Sequence, residues 1–321
     1  MGSRKNRLHP FDEQLLVSAE ELECQLAFCP DLPWADFLLN PRRLRGSDFL
    51  MRWSQGVWSE ERLREAANRT GQYYAISFGP SSTAPTNDVQ AYEQYFDRLE
   101  KAGLGKVKKP DLLLYRSEDK ELVDGYIAKL GGEKELPFVP ESDEQLRHVV
   151  SHAILAVECE NSLWKAEKMP DFGSKLTPQK RLGGKLGLKK TAVVPTVIMK
   201  EEDRKPLRRW QRKWKKKIHI WHVFYDRAFG ISFDKVEKLI KKRMILATEQ
   251  VFQAPGGATT KKSIYKVYYH HAYELGTSVE QPSLVADSIT DKNGHILPFV
   301  RFEGGTLSLA GEALAMLAKV T

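Results

Sequence analysis

Apolar positions in this chain fall into short runs bounded by breakers, with longer helically spaced stretches between them. Leu112–Tyr115 and Ile154–Val157 are apolar runs too brief for a helix, so each predicts a buried strand. Tyr73–Phe78, Ala192–Met199, Ile218–Tyr225 and Ile264–Tyr269 are β-prone and predict further strands. Asp291-Lys-Asn-Gly294, set between 283–290 and 295–302, is a hairpin signal, because both central residues of its tight turn must tolerate positive φ. Helical spacing puts Tyr92, Tyr95, Phe96 and Leu99 on one face of 88–101. It does the same for Val236, Leu239, Ile240 and Met244 within 233–246. Helices are also predicted over 121–130, 144–153, 204–217 and 307–320, and a short one through Leu163, Trp164 and Ala166, capped by Asn161 or Ser162. Residues 11–70 read as mostly helical. Ser18-Ala-Glu-Glu21 resembles a capping box, Ser59-Glu-Glu-Arg62 repeats the signal without the final acid, and Asn68-Arg-Thr-Gly71 supplies a stop.

Strands alternating with helices argue an α/β (α+β) fold, a mixed sheet flanked by helices. The expected division is a mostly helical N-terminal subdomain over 1–105 and a core over 106–321. Hydrophobic residues are 41% and charged residues 29%, the balance of a folded globular chain. No apolar run approaches the ~20 residues of a membrane span, so no membrane partner is expected. The charged N-terminus has no apolar segment behind it, so no secretory signal is expected. Cys24, Cys29 and Cys159 are an odd set and fit buried thiols in a reducing cytoplasm.

Two acidic points stand out at the ends of the apolar strands. Asp111 opens the first, and Glu158-Cys159-Glu160 closes the second. Strand side chains alternate, so Glu158 and Glu160 share a face and Cys159 takes the other. Were the two strands neighbours, three carboxylates would converge. Like charges so placed need a cation, and Mg2+ takes one or two carboxylates with phosphate and water. The other reading is three separate surface carboxylates at strand ends.

The net charge is +8 and the sequence pI about 9.2. The positive charge is concentrated between Lys175 and Lys217, where the only acids are Glu201, Glu202 and Asp203. That clustering is the footprint of a nucleic-acid binder; a solvated helical face is the bland alternative. In the glycine-lysine loop 173–190, Lys180, Arg181, Lys185, Lys189 and Lys190 are candidates for clamping a DNA backbone, with plain loop disorder as the rival. Gly183-Gly-Lys185 lacks the spacing of a phosphate-binding P-loop. Trp210 and Trp214 are expected as core contacts. His219 and His222, three apart on a strand, face opposite sides and make a poor metal pair, and His270-His271 split likewise.

Pro110-Asp111 followed by Glu158-Cys159-Glu160 resembles the PD-(D/E)XK nuclease motif, with glutamate where lysine is usual. More widely the chain resembles the AccI-like group of type II restriction endonucleases. The resemblance is carried by Phe49-Leu-Met-Arg-Trp-Ser54, Gly79-Pro-Ser-Ser82, Lys109-Pro-Asp-Leu-Leu113 and Val157-Glu-Cys-Glu-Asn-Ser-Leu-Trp164. Pro195-Thr-Val-Ile198, Lys200-Glu-Glu-Asp203, Ile220-Trp-His-Val-Phe-Tyr-Asp226 and Asp291-Lys-Asn-Gly-His-Ile-Leu-Pro298 extend it over most of the chain. It implies a restriction-endonuclease-like sheet core and Mg2+ bound by Asp111 and Glu158. Catalysis would then involve Asp111, Glu158 and Glu160. Glu160 would assist a second metal or accept a proton from water, and Lys165 or Lys200 would supply the missing positive charge, the other reading of each being an ordinary surface lysine.

The expectation is therefore a Mg2+-dependent, site-specific endonuclease acting on double-stranded DNA, a cytoplasmic homodimer with one active site per strand. The alternatives are a structure-specific or repair nuclease and a non-catalytic DNA-binding protein.

Overall fold

The computed structural model describes residues 47–84, 89–105, 107–162, 164–253, 259–290 and 296–320. The expectations for Ser18–Glu21, Cys24, Cys29 and the Asp291–Gly294 turn lie outside these residues.

Seven strands form one sheet in the order β1-β2-β3-β7-β8-β11-β14. They are β1 (Tyr73–Ser77), β2 (Leu112–Arg116), β3 (Leu155–Asn161), β7 (Ile218–Val223), β8 (Arg227–Ser232), β11 (Tyr273–Glu280) and β14 (Thr306–Leu309). All neighbours are antiparallel except β3 and β7. Parallel pairing at the centre fits their sequences, since strands covered on both faces read as apolar runs rather than alternations.

One face carries α1 (Ser47–Asn68) and α8 (Gly311–Leu317). Trp58, Leu63, Ala66, Ala313 and Leu317 pack on Leu112, Leu155, Val157, Trp221 and Val223. The opposite face carries α4 (Lys120–Lys129), α5 (Glu144–His152), α6 (Glu201–Trp214) and α7 (Phe233–Lys241), packed on Leu113, Tyr115, Ala156, Ile218 and Ile220. Two shorter helices, α2 (Pro80–Thr83) and α3 (Val89–Lys101), follow β1. Tyr95 and Leu99 of α3 form a small cluster of their own, joined by Tyr92 and Phe96 as the spacing predicts. Beside the main sheet lie a three-stranded sheet of β6 (Thr196–Lys200), β10 (Thr259–Tyr268) and β9 (Ala247–Gln253), and two hairpins. The hairpins are β4–β5 (Thr177–Gln179, Lys185–Gly187) and β12–β13 (Ser283–Thr290, Ile296–Glu303). None of the described helices is long and apolar enough to cross a membrane.

Several expectations change. Ser59 does not cap a helix: α1 runs through it, and its hydroxyl donates to Gly56 O at 2.8 Å. No helix follows Glu160, because β3 continues to Asn161 and only a single turn, Ala166–Lys168, comes after. The 173–190 loop contains the β4–β5 hairpin. The closing helix is shorter than 307–320, because Thr306–Leu309 pairs with β11 first. The described part of 1–105 does not stand apart: β1 pairs with β2 along its length, and α1 covers the sheet.

Candidate active site

Asp111 stands where the chain turns into β2. Pro110 before it has no N–H to donate, and Asp111 N–H bonds Val157 O at 2.9 Å, locking β2 to β3. Its carbonyl accepts three donors: Phe78 N at 2.7 Å, Gly79 N at 3.0 Å and Ser82 Oγ at 3.1 Å. Glycine is required at 79. A Cβ there would lie 2.9 Å from Pro110 O and 3.1 Å from Asp111 Cα, both backbone atoms. The carboxylate is pinned separately, Oδ2 accepting Cys159 N at 2.7 Å.

The register brings the remaining acids to the same place. Leu113 pairs with Ala156, so two residues back along β2 Asp111 comes level with Glu158. Glu158 and Glu160 pair with Ile220 and His222 on β7, on the face that carries α6. Asp111 is 4% and Glu158 3% exposed, whereas Glu160 is partly open to solvent. Two lysines meet these acids: Lys108 Nζ lies 2.5 Å from Glu158 Oε1, and Lys200 Nζ 2.8 Å from Glu160 Oε1.

Burial, aggravated by Asp111, pushes the Glu158 carboxyl well above the usual carboxylate range. Asp111 is raised by burial too, with Lys108 and the Cys159 N–H working against the shift. Burial alone would pull Lys108 down, but Glu158, Asp111 and Asp203 together hold it well above its ordinary value. Glu160 does the same for Lys200 against its burial. A fourth carboxyl belongs to the cluster. Glu60, from α1, is raised by burial and then by Asp111, and Ser82 hydrogen-bonds it.

The donor set fits a hard divalent cation. Glu158 Oε2 and Glu60 Oε2 are buried without a hydrogen-bond partner. Acids outnumber the two lysines, which leaves negative charge to be neutralised in a poorly solvated place. Among the described residues, no three His, Cys, Asp or Glu side chains stand ready-made around one point. Glu158 and Glu160 are each drawn to a lysine. The pair suited to Mg2+ is Asp111 and Glu158, as two carboxylates suffice when water and phosphate complete the shell.

Lys200 thus joins the carboxylates. Lys165 does not; its Nζ lies 4.9 Å over the Tyr225 ring, where it acts on Asp226. Of the hairpin cations, Lys180, Lys189 and Lys190 are exposed, while Arg181 and Lys185 are tied to protein oxygens: Leu188 O and Tyr268 Oη, and Lys242 O. Trp210 is buried and Trp214 packs on the same core. His219 Nδ1 meets Tyr273 Oη at 3.0 Å and His222 Nδ1 accepts Ile198 N at 3.4 Å, so each has a place in the core.

Sequence reasoning missed Lys108, Glu60 and Asp203. Lys108 had a signal in its position, next to the Lys109–Leu113 segment and three residues before Asp111. Glu60 had none, because nothing in α1 distinguishes the acid that turns toward the sheet. Comparison with known protein families, curated proteins and solved structures finds no match.

Proposed function

We propose that this protein is a Mg2+-dependent endonuclease that hydrolyses phosphodiester bonds in double-stranded DNA, site-specific in the manner of a type II restriction enzyme. The observation that carries the reading is that Asp111 and Glu158 stand level across β2 and β3, with Glu160 on the same sheet face, beside a buried Glu158 Oε2 that has no hydrogen-bond partner. The cation, held by Asp111 and Glu158, would orient a water and neutralise charge on the scissile phosphate.

The protein's own groups divide the remaining work. Asp111 is held from its carbonyl and its carboxylate at once, so its position is set before any ligand arrives. Glu160, the most open of the three, would take the proton of the attacking water. Lys200, on Glu160, brings the positive charge that the motif's usual lysine would bring. A homodimer matches a palindromic duplex, one site to each strand, and a DNA target fits a cytoplasmic enzyme.

Digestion of a long duplex with Mg2+ tests this, with EDTA and Glu158→Ala as controls. Discrete bands absent from both controls support a site-specific enzyme. A metal-dependent smear means a nuclease without sequence preference. DNA that is bound and never cut means the motif serves a binding protein.

A further inference from the structure

The sequence draws attention to the basic block that becomes α6, yet much of its charge is used inside the protein. Arg204 and Arg208 both pair with Glu237, Lys213 pairs with Glu141, and Lys217 pairs with Asp234. Those pairings have a consequence for the neighbouring helix. Asp234 and Glu237 are the only acids of α7, and both are taken up by these cations. The rest of the helix is left with exposed Lys235, Lys238 and Lys241, followed by Lys242 and Arg243. No ion pair joins these five to an acid among the described residues.

Two contacts extend this patch and place it. Lys185 Nζ donates to Lys242 O at 2.6 Å, seating the β4–β5 hairpin with its exposed Lys180, Lys189 and Lys190 against the end of α7. Lys200, which pairs with Glu160, immediately precedes α6. Arg204 one turn later bonds Glu237 Oε1 at 2.8 Å, and Lys241 lies one further turn along α7. Gln211 and Lys217 meet Asp234 while Arg204 meets Glu237, so α7 runs antiparallel to α6 and its basic end lies toward Lys200 and the carboxylates. Lys200 to Arg204 and Glu237 to Lys241 are each about one 5.4 Å turn.

Arg243 carries a second, independent mark. It has φ 53°, a left-handed conformation that glycine adopts freely and arginine does not. The turn is otherwise an ordinary helix stop, with Met244 N bonding Leu239 O at 3.0 Å and Arg243 N bonding Ile240 O at 2.9 Å. Stability would favour glycine here. An arginine kept in a strained position beside unpaired lysines points to a use for its charge.

We propose that the C-terminal end of α7 and the β4–β5 hairpin form one surface that grips the sugar-phosphate backbone of duplex DNA. The inference rests on the nuclease reading for its ligand but not on cleavage. Its cations track phosphates, so it sets affinity and salt dependence rather than base preference. A rival surface exists on α6, where exposed Lys205, Arg209 and Arg212 form a stripe leading away from the carboxylates.

The test is binding of a labelled mixed-sequence duplex of about 30 base pairs in EDTA, across about 50 to 200 mM salt. Replacing Lys238, Lys241 and Lys242 with alanine should lower the slope of log K against log salt by roughly 2 to 3 and weaken binding at least 10-fold. Arg243→Gly should bind DNA more weakly while melting roughly 2 °C higher, a combination that general damage to the fold would not give. A slope unchanged in the α7 variant, with the loss appearing instead when Lys205, Arg209 and Arg212 are replaced, would overturn the assignment. A parent that binds no DNA would remove this inference together with the nuclease reading. A parent that binds with the stated slopes but never cuts with Mg2+ would remove the nuclease reading alone.

Discussion

Gly79 shows how closely the site depends on single atoms. Its amide helps hold the Asp111 carbonyl, and the space for a Cβ is closed by Pro110 O at 2.9 Å, Asp111 Cα at 3.1 Å and Asp111 Oδ1 at 3.3 Å. The two nearest are backbone atoms that cannot swing aside, so Gly79→Ala has to move β2. The cost should be about 1–3 kcal/mol, read as a lowered urea midpoint. Under the proposed nuclease reading, displacing Asp111 by a fraction of an ångström should slow cleavage by about 10²-fold, more than the stability loss explains. Unchanged midpoint and rate together would mean that this loop does not position Asp111. In sequence the Gly79-Pro-Ser-Ser82 segment shows no sign of this role, and only the fold shows that two of its donors, with Phe78 N just before them, converge on one carbonyl.

The same contrast holds for whole elements. Strands β2, β3 and β7 were legible, because buried central strands write themselves as apolar runs. Strands β8, β11 and β14 were not, since Arg227–Ser232 and Tyr273–Glu280 mix glycine, charge and apolar residues without a period. Their glycines serve contacts visible only in three dimensions: a Cβ on Gly230 would fall 2.3 Å from the Tyr273 ring, and one on Gly276 2.3 Å from Ser308 O. In α1 the Ser59 cap signal loses to burial of Trp58, Leu63 and Ala66, which keeps the helix continuous. The single turns over Glu133–Phe138 were also missed, and they are held in an unusual way. Lys109, 1% exposed, donates to Leu136 O and Pro137 O at 3.1 Å and to Val139 O at 3.2 Å. Burial lowers its pKa to about 8. Lys109→Met would leave three carbonyls without their donor, so the protein should lose about 3 kcal/mol. Amide exchange should quicken first over 133–139. Loss spread evenly over the chain would instead assign Lys109 to the whole core.

At the scale of the molecule, the two faces of the sheet differ in what they bury. The apolar face under α1 and α8 holds His219 at its edge, and the face that carries the carboxylates holds His222. Burial lowers His219 to about 4 and His222 to about 3, with Lys217 and Lys200 respectively adding to it, and Asp234 opposing in the case of His219. A depressed folded pKa contributes stability above the unfolded value of 6.5 and loses it as pH falls. Between pH 6.5 and pH 4 each histidine should therefore cost about 3 kcal/mol. The site carboxyls run the other way. Asp111 and Glu158 are raised, so their contribution is whole at low pH and is lost as pH rises through their folded values. The metal-free chain should accordingly be most stable at an intermediate pH and lose stability in both directions. A divalent cation should relieve only the alkaline limb, because it replaces the protons on the carboxyls and does nothing for the imidazoles. Urea midpoints from pH 4 to pH 9, with and without Mg2+, separate the two limbs. His222→Asn should remove about half of the acid limb, the His219 half remaining, and leave the Mg2+ response intact. An acid limb that Mg2+ also flattens would show that His222 and the carboxylates titrate as one coupled group, and the two faces would then not be electrostatically separate.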